Sequence, residues 1–226
     1  MLRLYNGWME LLAVEPFVDG TCDPPVRGFL HRPASPSSDA LVLTHSAGAD
    51  SQSPLLIAVA QGLAALGLTV LRCDLPFRQM RPHGPPGPGS AARDRDGLRQ
   101  AAMALLKIVP GRIFLGGHSY GGRQASMLAA DDPAVAAALL LLSYPLHPPR
   151  RPSQLRTAHF PRLRVPSLFA QGTRDEFASV EEITSALQLI PAPTELLVVA
   201  GEGHSLAKEL PALAARVSTA FREFVG

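Results

Sequence analysis

The chain has 226 residues, 46% of them hydrophobic and 18% charged, which are the proportions of one soluble globular domain with a sizeable core rather than of a disordered chain. Its 21 basic and 19 acidic residues leave a formal charge of +2, too balanced to point to a nucleic-acid or membrane partner, so a small-molecule substrate is expected. Two cysteines, Cys22 and Cys73, lie far apart without CxxC or zinc-type spacing and indicate neither a disulfide framework nor a metal site.

The first residues, MLRLYNGWMELLAVEPF, mix Asn6, Glu10 and Glu15 among apolar residues and show no small-residue cleavage pattern, so no signal peptide is expected and the default location is the cytoplasm. Met9 to Phe17 and Val26 to His31 read as strands joined by the turn-rich DGTCDPP, an N-terminal antiparallel hairpin. Ala40 to Thr44 is apolar without alternation, as a strand buried on both faces should be. Ser53 and Pro54 supply a cap and first residue for a helix whose apolar positions repeat to Leu66, before Gly67 ends it. Thr69 to Cys73 is the next buried strand. From Arg78 to Gly97, prolines 82, 85, 86 and 88 alternate with glycines, and the expectation is an irregular surface connection. A second amphipathic helix runs from Leu98 to Val109, followed by a strand leading into Ser119 and a helix to Ala130. Strands at Ala138 to Ser143, Ser167 to Gln171 and Glu195 to Val199, with helices at Val180 to Ile190 and Leu210 to Phe224, complete the chain. The longest apolar run, Ala134 to Leu142, is well short of the roughly 20 residues a spanning helix needs.

Such alternation implies a three-layer α/β/α sandwich: a mostly parallel, doubly wound sheet with helices on both faces and an antiparallel N-terminal edge. In that architecture the loops at the strand C-terminal ends build the site. The chain reads as one domain over residues 1–226, with 144–165 as a short, minimal lid-like insertion.

The most informative segment is IFLGGHSYGG at 113–122, in which Gly117-His118-Ser119-Tyr120-Gly121 has the GxSxG spacing of a nucleophile elbow between strand and helix. A serine on so sharp a turn needs neighbours without side chains, and Gly117 and Gly121 provide that room. A serine hydroxyl is a weak nucleophile near neutral pH, so it requires a positioned base and an acid to orient that base. Of seven histidines, His204 stands in the glycine-flanked loop GEGHS directly after the last predicted strand, where it can reach over the sheet. His118 adjoins Ser119, but adjacent side chains diverge there, and it is expected to point into the packing. Asp175, in the turn QGTRD at the end of the 167–171 strand, is the candidate acid. It gives the chain order Ser, Asp, His. The oxyanion donors would be the N–H of Tyr120 and that of Ala47, in His45-Ser46-Ala47-Gly48 after the 40–44 strand. Ser46, Arg72, Arg123, Tyr144 and Arg156 are candidate substrate contacts, with a carboxylate-bearing substrate suiting the arginines; the competing reading of the basic residues is a solvated lid and structural ion pairs, such as Arg72 or Arg123 with Asp74.

With these residues in place the chain resembles the α/β-hydrolase superfamily from about Met9 to Phe224, and more narrowly its compact, dienelactone-hydrolase-like branch. THSAG at 44–48, LRCDLPF at 71–77, GGR at 121–123, SYPLHP at 143–148 and QGTRD at 171–175 are similar to a hydrolase-like subgroup that includes a testis-expressed protein and a subunit of a chromatin acetyltransferase complex. The resemblance implies the fold and a Ser119, Asp175, His204 triad, with no substrate attached. Two departures matter: the HGxG pattern carries Ser46 where glycine is usual, and the nucleophile is serine where dienelactone hydrolases proper use cysteine. The expected function is a serine hydrolase acting on a carboxylic ester or thioester of a small to medium soluble substrate, with no metal or organic cofactor. The alternative is a catalytically silent hydrolase-fold module used for protein interaction, discriminated by whether the three residues come within hydrogen-bond relay of one another.

Overall fold

Strands buried at every position sit inside a sheet covered on both faces, and five of them form its centre. In the computed structural model, which describes residues 13–226, these are β3 (Ala40–Thr44), β4 (Thr69–Cys73), β5 (Ile113–His118), β6 (Leu139–Leu142) and β7 (Ser167–Gly172), each buried throughout. The hairpin of β1 (Ala13–Asp19) and β2 (Val26–Arg32) joins antiparallel to β4, and β8 (Thr194–Val199) closes the opposite edge. The beginning expected for the first strand, at Met9, lies outside the described residues. The order is β1-β2-β4-β3-β5-β6-β7-β8, parallel from β4 to β8. From β3 the chain crosses to β4 on one side and then returns to place β5 on the other. That reversal opens a crevice at the C-terminal ends of β3 and β5, the place where sheets of this kind bind ligands.

Alternation within each strand divides the core. Leu41 and Leu43 of β3 join Leu56, Val59 and Leu63 of α1 (Pro54–Ala65) and Val217 and Phe221 of the closing helix, Leu210–Val225. Val42 and Leu115 face the other way, toward the helices Ser90–Leu106, Tyr120–Asp131 and Val180–Leu187. Phe114 and Phe221 meet edge to face at 5.5 Å. No helix of the described residues is long and apolar enough to cross a membrane.

One expectation is corrected. The segment 78–97 is irregular only over residues 81–89: Pro76–Met80 forms a short helix, α2, and α3 begins at Ser90 and runs to Leu106. The first turns of α3 gave no apolar periodicity because the residues they bury are Asp94 and Gly97. Gly97 lies against the Pro76 ring, and the Asp94 carboxylate accepts from the N–H of Phe77 at 3.0 Å and from the Tyr120 hydroxyl at 2.7 Å. A polar contact thus occupies positions where the pattern sought a leucine. The remaining helices follow as α4 (Tyr120–Asp131), α5 (Val180–Leu187) and α6 (Leu210–Val225).

Residues 144–165 contain a single 3-10 turn, Phe160–Arg162, and much of the segment is core. Tyr144, Leu146, Phe160, Leu163 and Val165 are buried, with the Tyr144 ring 5.3 Å from Phe160 and 5.9 Å from Phe169. The longest stretch of the segment exposed at every residue is 150–155.

Three buried histidines make the fold acid-sensitive. Burial holds His31, His118 and His159 down to about 4 from an ordinary 6.5, and neighbouring guanidinium groups, Arg72 at His31 and Arg123 at His159, push in the same direction. Between those pH values the unfolded chain takes up protons that the folded one refuses, so this contribution is complete above about pH 6.5 and is lost as pH falls toward 4. Thermal melts should therefore fall steadily across that window and be flat with respect to these groups at higher pH. His31→Gln, which keeps an acceptor for the Arg72 Nε–H bond of 2.7 Å, should make the slope shallower.

Candidate active site

The position of Ser119 begins with backbone strain. Ser119 has φ 53° and ψ −111°, outside the regions an L-residue prefers, at a cost of about 1–3 kcal/mol that the surroundings must offset. Its N–H donates to the Leu142 carbonyl at 2.8 Å, and its own carbonyl accepts from the Arg123 N–H at 2.9 Å. Gly121 N–H reaches the His45 carbonyl at 3.1 Å, an approach that a Cβ on Gly121, 2.6 Å from that oxygen, would prevent. A Cβ on Gly117 would come within 2.7 Å of the Gly121 backbone. Both glycines of the motif are therefore required by close contact between strand end and helix start.

Around this turn the three residues expected to act together are in relay. Ser119 Oγ lies 2.8 Å from His204 Nε2, and His204 Nδ1 lies 2.9 and 3.0 Å from the two oxygens of Asp175. With Nδ1–H donated to the carboxylate, Nε2 presents its lone pair to the serine hydroxyl, the tautomer a general base needs. Asp175 is fully buried in its side chain, and it is satisfied there by three donors: His204, the Gln171 amide at 2.7 Å and the Phe177 N–H at 2.8 Å. The Phe177 ring stacks on the imidazole, with centroids 3.9 Å apart and planes at 29°. His118 points inward, as expected, and its Nε2–H donates to the main-chain carbonyl of His204 at 2.8 Å. Below, Gly172 at the end of β7 lets the Glu202 carbonyl press onto the strand, so the loop carrying His204 rests directly on the sheet.

The loop after β3 holds the other half of the site. The Ser46 carbonyl accepts from His45 Nδ1 at 2.8 Å and from the Ala49 N–H at 3.2 Å, while His45 Nε2 accepts from the Leu75 N–H at 3.1 Å. His45 must therefore be neutral with its proton on Nδ1, and burial depresses its basicity accordingly. None of Ser46, Ala47 or Gly48 has positive φ, so the glycine replaced by Ser46 is not needed for the backbone path. The N–H groups of Ala47 and Tyr120 have no hydrogen-bond partner among the described residues. Phe77 sits between the two segments, its ring 5.6 Å from both His45 and Tyr120.

The candidate substrate contacts divide. Arg72 is buried; its guanidinium is taken up by His31 and the Ser51 carbonyl and lies under the Phe29 ring, so neither a substrate contact nor an ion pair with Asp74 describes it. Tyr144 is likewise a core residue whose hydroxyl donates to the Arg156 carbonyl at 2.8 Å. Ser46 is half-buried in its turn. Arg123 and Arg156 are half-buried and make no ion pair among the described residues, and Arg123 Nε is buried without a partner. Arg162 of the 144–165 segment does form a surface pair, with Asp131 at 3.1 Å. Residue patterns alone did not find Gln171, Phe177, Asp94 or Arg78. The first two flank Asp175 at i−4 and i+2, and their roles depend on a turn geometry that carries no motif.

Comparison with known proteins bears on the family and the fold. A family model described as an alpha/beta hydrolase domain matches residues 37–212. Among solved structures, a dienelactone hydrolase from Anabaena variabilis superposes with a TM-score of 0.75 at 20% identity, over 94% of this chain and 98% of that one. An α/β serine hydrolase without lid from Xanthomonas campestris gives 0.72 at 18% identity over 95% of both chains. An esterase from Pyrococcus furiosus gives 0.74 at 16% identity, over 95% of this chain and 92% of that one. With its sheet order, its elbow and its family match over most of its length, the chain belongs to the α/β-hydrolase family.

Proposed function

We propose that the protein is a serine hydrolase that cleaves a carboxylic ester or thioester of a small to medium soluble substrate through an acyl-enzyme on Ser119. The observation that carries this reading is the continuous relay from Ser119 Oγ to His204 Nε2 at 2.8 Å and from His204 Nδ1 to Asp175 at 2.9 Å. As Ser119 attacks the carbonyl carbon, His204 takes its proton and Asp175 stabilises the imidazolium and keeps it oriented. Negative charge develops on the carbonyl oxygen, toward which the unpartnered N–H groups of Tyr120 and Ala47 would donate. Collapse of the tetrahedral species expels an alcohol or thiol carrying the proton from His204, and water, activated by the same imidazole, then releases the acyl group.

Each step uses groups of this chain alone. The buried anchoring of residues 144–165 favours an open site over an enclosed lipid tunnel, and the unpaired Arg123 and Arg156 suit a substrate with a carboxylate near its ester. A silent interaction module would have no physical use for a serine held in a strained turn opposite a correctly oriented imidazole.

Incubation with a short-chain p-nitrophenyl ester should give turnover, and a fluorophosphonate should label the native protein. Ser119→Ala should abolish labelling and reduce kcat by at least about ten-thousandfold. Asp175→Asn, which leaves the imidazole without its carboxylate, should cost about ten-thousandfold in kcat with little change in KM. Phe177→Ala, which removes the ring stacked on His204, should reduce kcat by about tenfold or less, since the two hydrogen bonds of the base remain. Absence of both turnover and labelling in the native protein would leave the interaction-module reading standing.

A further inference from the structure

A guanidinium has five N–H donors in a rigid plane, and buried arginines usually direct them at carboxylates. Arg78, on the short helix α2, is 6% exposed and directs all five at backbone carbonyls. Nε donates to Ala49 at 2.8 Å and Nη2 to Ala47 at 2.9 Å, both in the loop after β3. Nη2 also reaches Gly84 at 3.0 Å, and Nη1 reaches Arg81 at 3.0 Å and Pro82 at 2.8 Å, all in the proline- and glycine-rich segment. It makes no ion pair among the described residues, and its guanidinium lies 4.9 Å from the centroid of the Phe77 ring. The arrangement is a five-point clamp joining two loops that have no regular structure of their own.

We propose that Arg78 is the positioning residue of the oxyanion loop, an inference that rests on the hydrolase reading of Ser119. The Ala47 N–H lies in the peptide plane it shares with the Ser46 carbonyl, antiparallel to that carbonyl, and this plane keeps its direction only if the next plane, which carries the Ala47 carbonyl, is also held. The first plane is pinned where the Ser46 carbonyl accepts from His45. The second is pinned where the Ala47 carbonyl accepts from Arg78, and without that bond the Ala47 ψ torsion and the following turn are free to relax. With both held, the Ala47 N–H is preorganised before a substrate arrives, which is what makes a donor effective on a developing oxyanion. The loop has no regular structure to hold it, and Gly48 follows Ala47 directly. Arg78 supplies the rigidity from outside.

The test compares Arg78→Lys and Arg78→Ala with the native protein on a p-nitrophenyl ester. A lysine carries the charge but offers three donors from one point, and it cannot span five carbonyls. Expected are a fall in kcat of about ten- to a hundredfold for Arg78→Lys, near the loss of one oxyanion donor, and KM within about twofold. Affinity for an alkylboronic acid, whose tetrahedral serine adduct places an oxygen at the oxyanion position, should fall by the same factor as kcat. Added guanidinium should restore part of the activity of Arg78→Ala. Full activity of Arg78→Lys, or a loss carried by KM with boronate affinity unchanged, overturns the inference. Failure of both variants to fold, shown by circular dichroism, assigns Arg78 to the fold as a whole and overturns it too. A native protein inert to ester and fluorophosphonate alike overturns the hydrolase reading, and this inference with it; an active native protein with an unaffected Arg78→Lys overturns the inference alone.

Discussion

The conformation of one residue organises the site. Ser119 is held at positive φ between a strand and a helix, and an L-residue remains there only when the neighbouring backbone leaves no alternative. The Leu142 carbonyl fixes it from the adjacent strand, and the contact of Gly121 with His45 fixes it from β3. Those two strands flank β5 in the sheet, so the register of three parallel strands is translated into the direction of one hydroxyl. The site is then completed by loops from the ends of β3, β7 and β8, none of which needs to move for the relay to form.

Much of this was legible in the residues. The buried strands announced themselves as apolar runs without alternation, and β3 and β4 have the bounds expected for them. The motif around Ser119 carries its own geometry, because glycine at two fixed spacings reflects a steric demand. Asp175 and His204 were recognisable from their place after strands and from chain order. What escaped the pattern shares one property: its physics is polar and long-range. The first half of α3 buries a carboxylate and a glycine instead of leucines, so its periodicity is silent. Gln171 and Phe177 act on the triad through distances set by a turn. Arg78 spends its donors on backbone carbonyls, and a carbonyl is present at every residue whatever the sequence, so such a contact leaves no signature.

Charge alone misleads in the same way. Arg72, near the end of β4, is consumed by an uncharged histidine and a carbonyl beneath the hairpin. Its neighbour Cys73 is wholly buried, and burial pushes its thiol far above the range in which a thiolate forms. Cys73 thus packs as a small hydrophobe rather than offering a thiolate.

The anchoring of residues 144–165 has an evolutionary consequence. Tyr144 and Phe160 fasten the segment to Phe169 beneath it, while 150–155 is exposed at every residue. Insertions are tolerated where the affected backbone is exposed and its ends are already tied down. This short stretch is therefore a point of attachment at which a cap could be lengthened, and selectivity altered, while the triad and the sheet beneath it stay as they are.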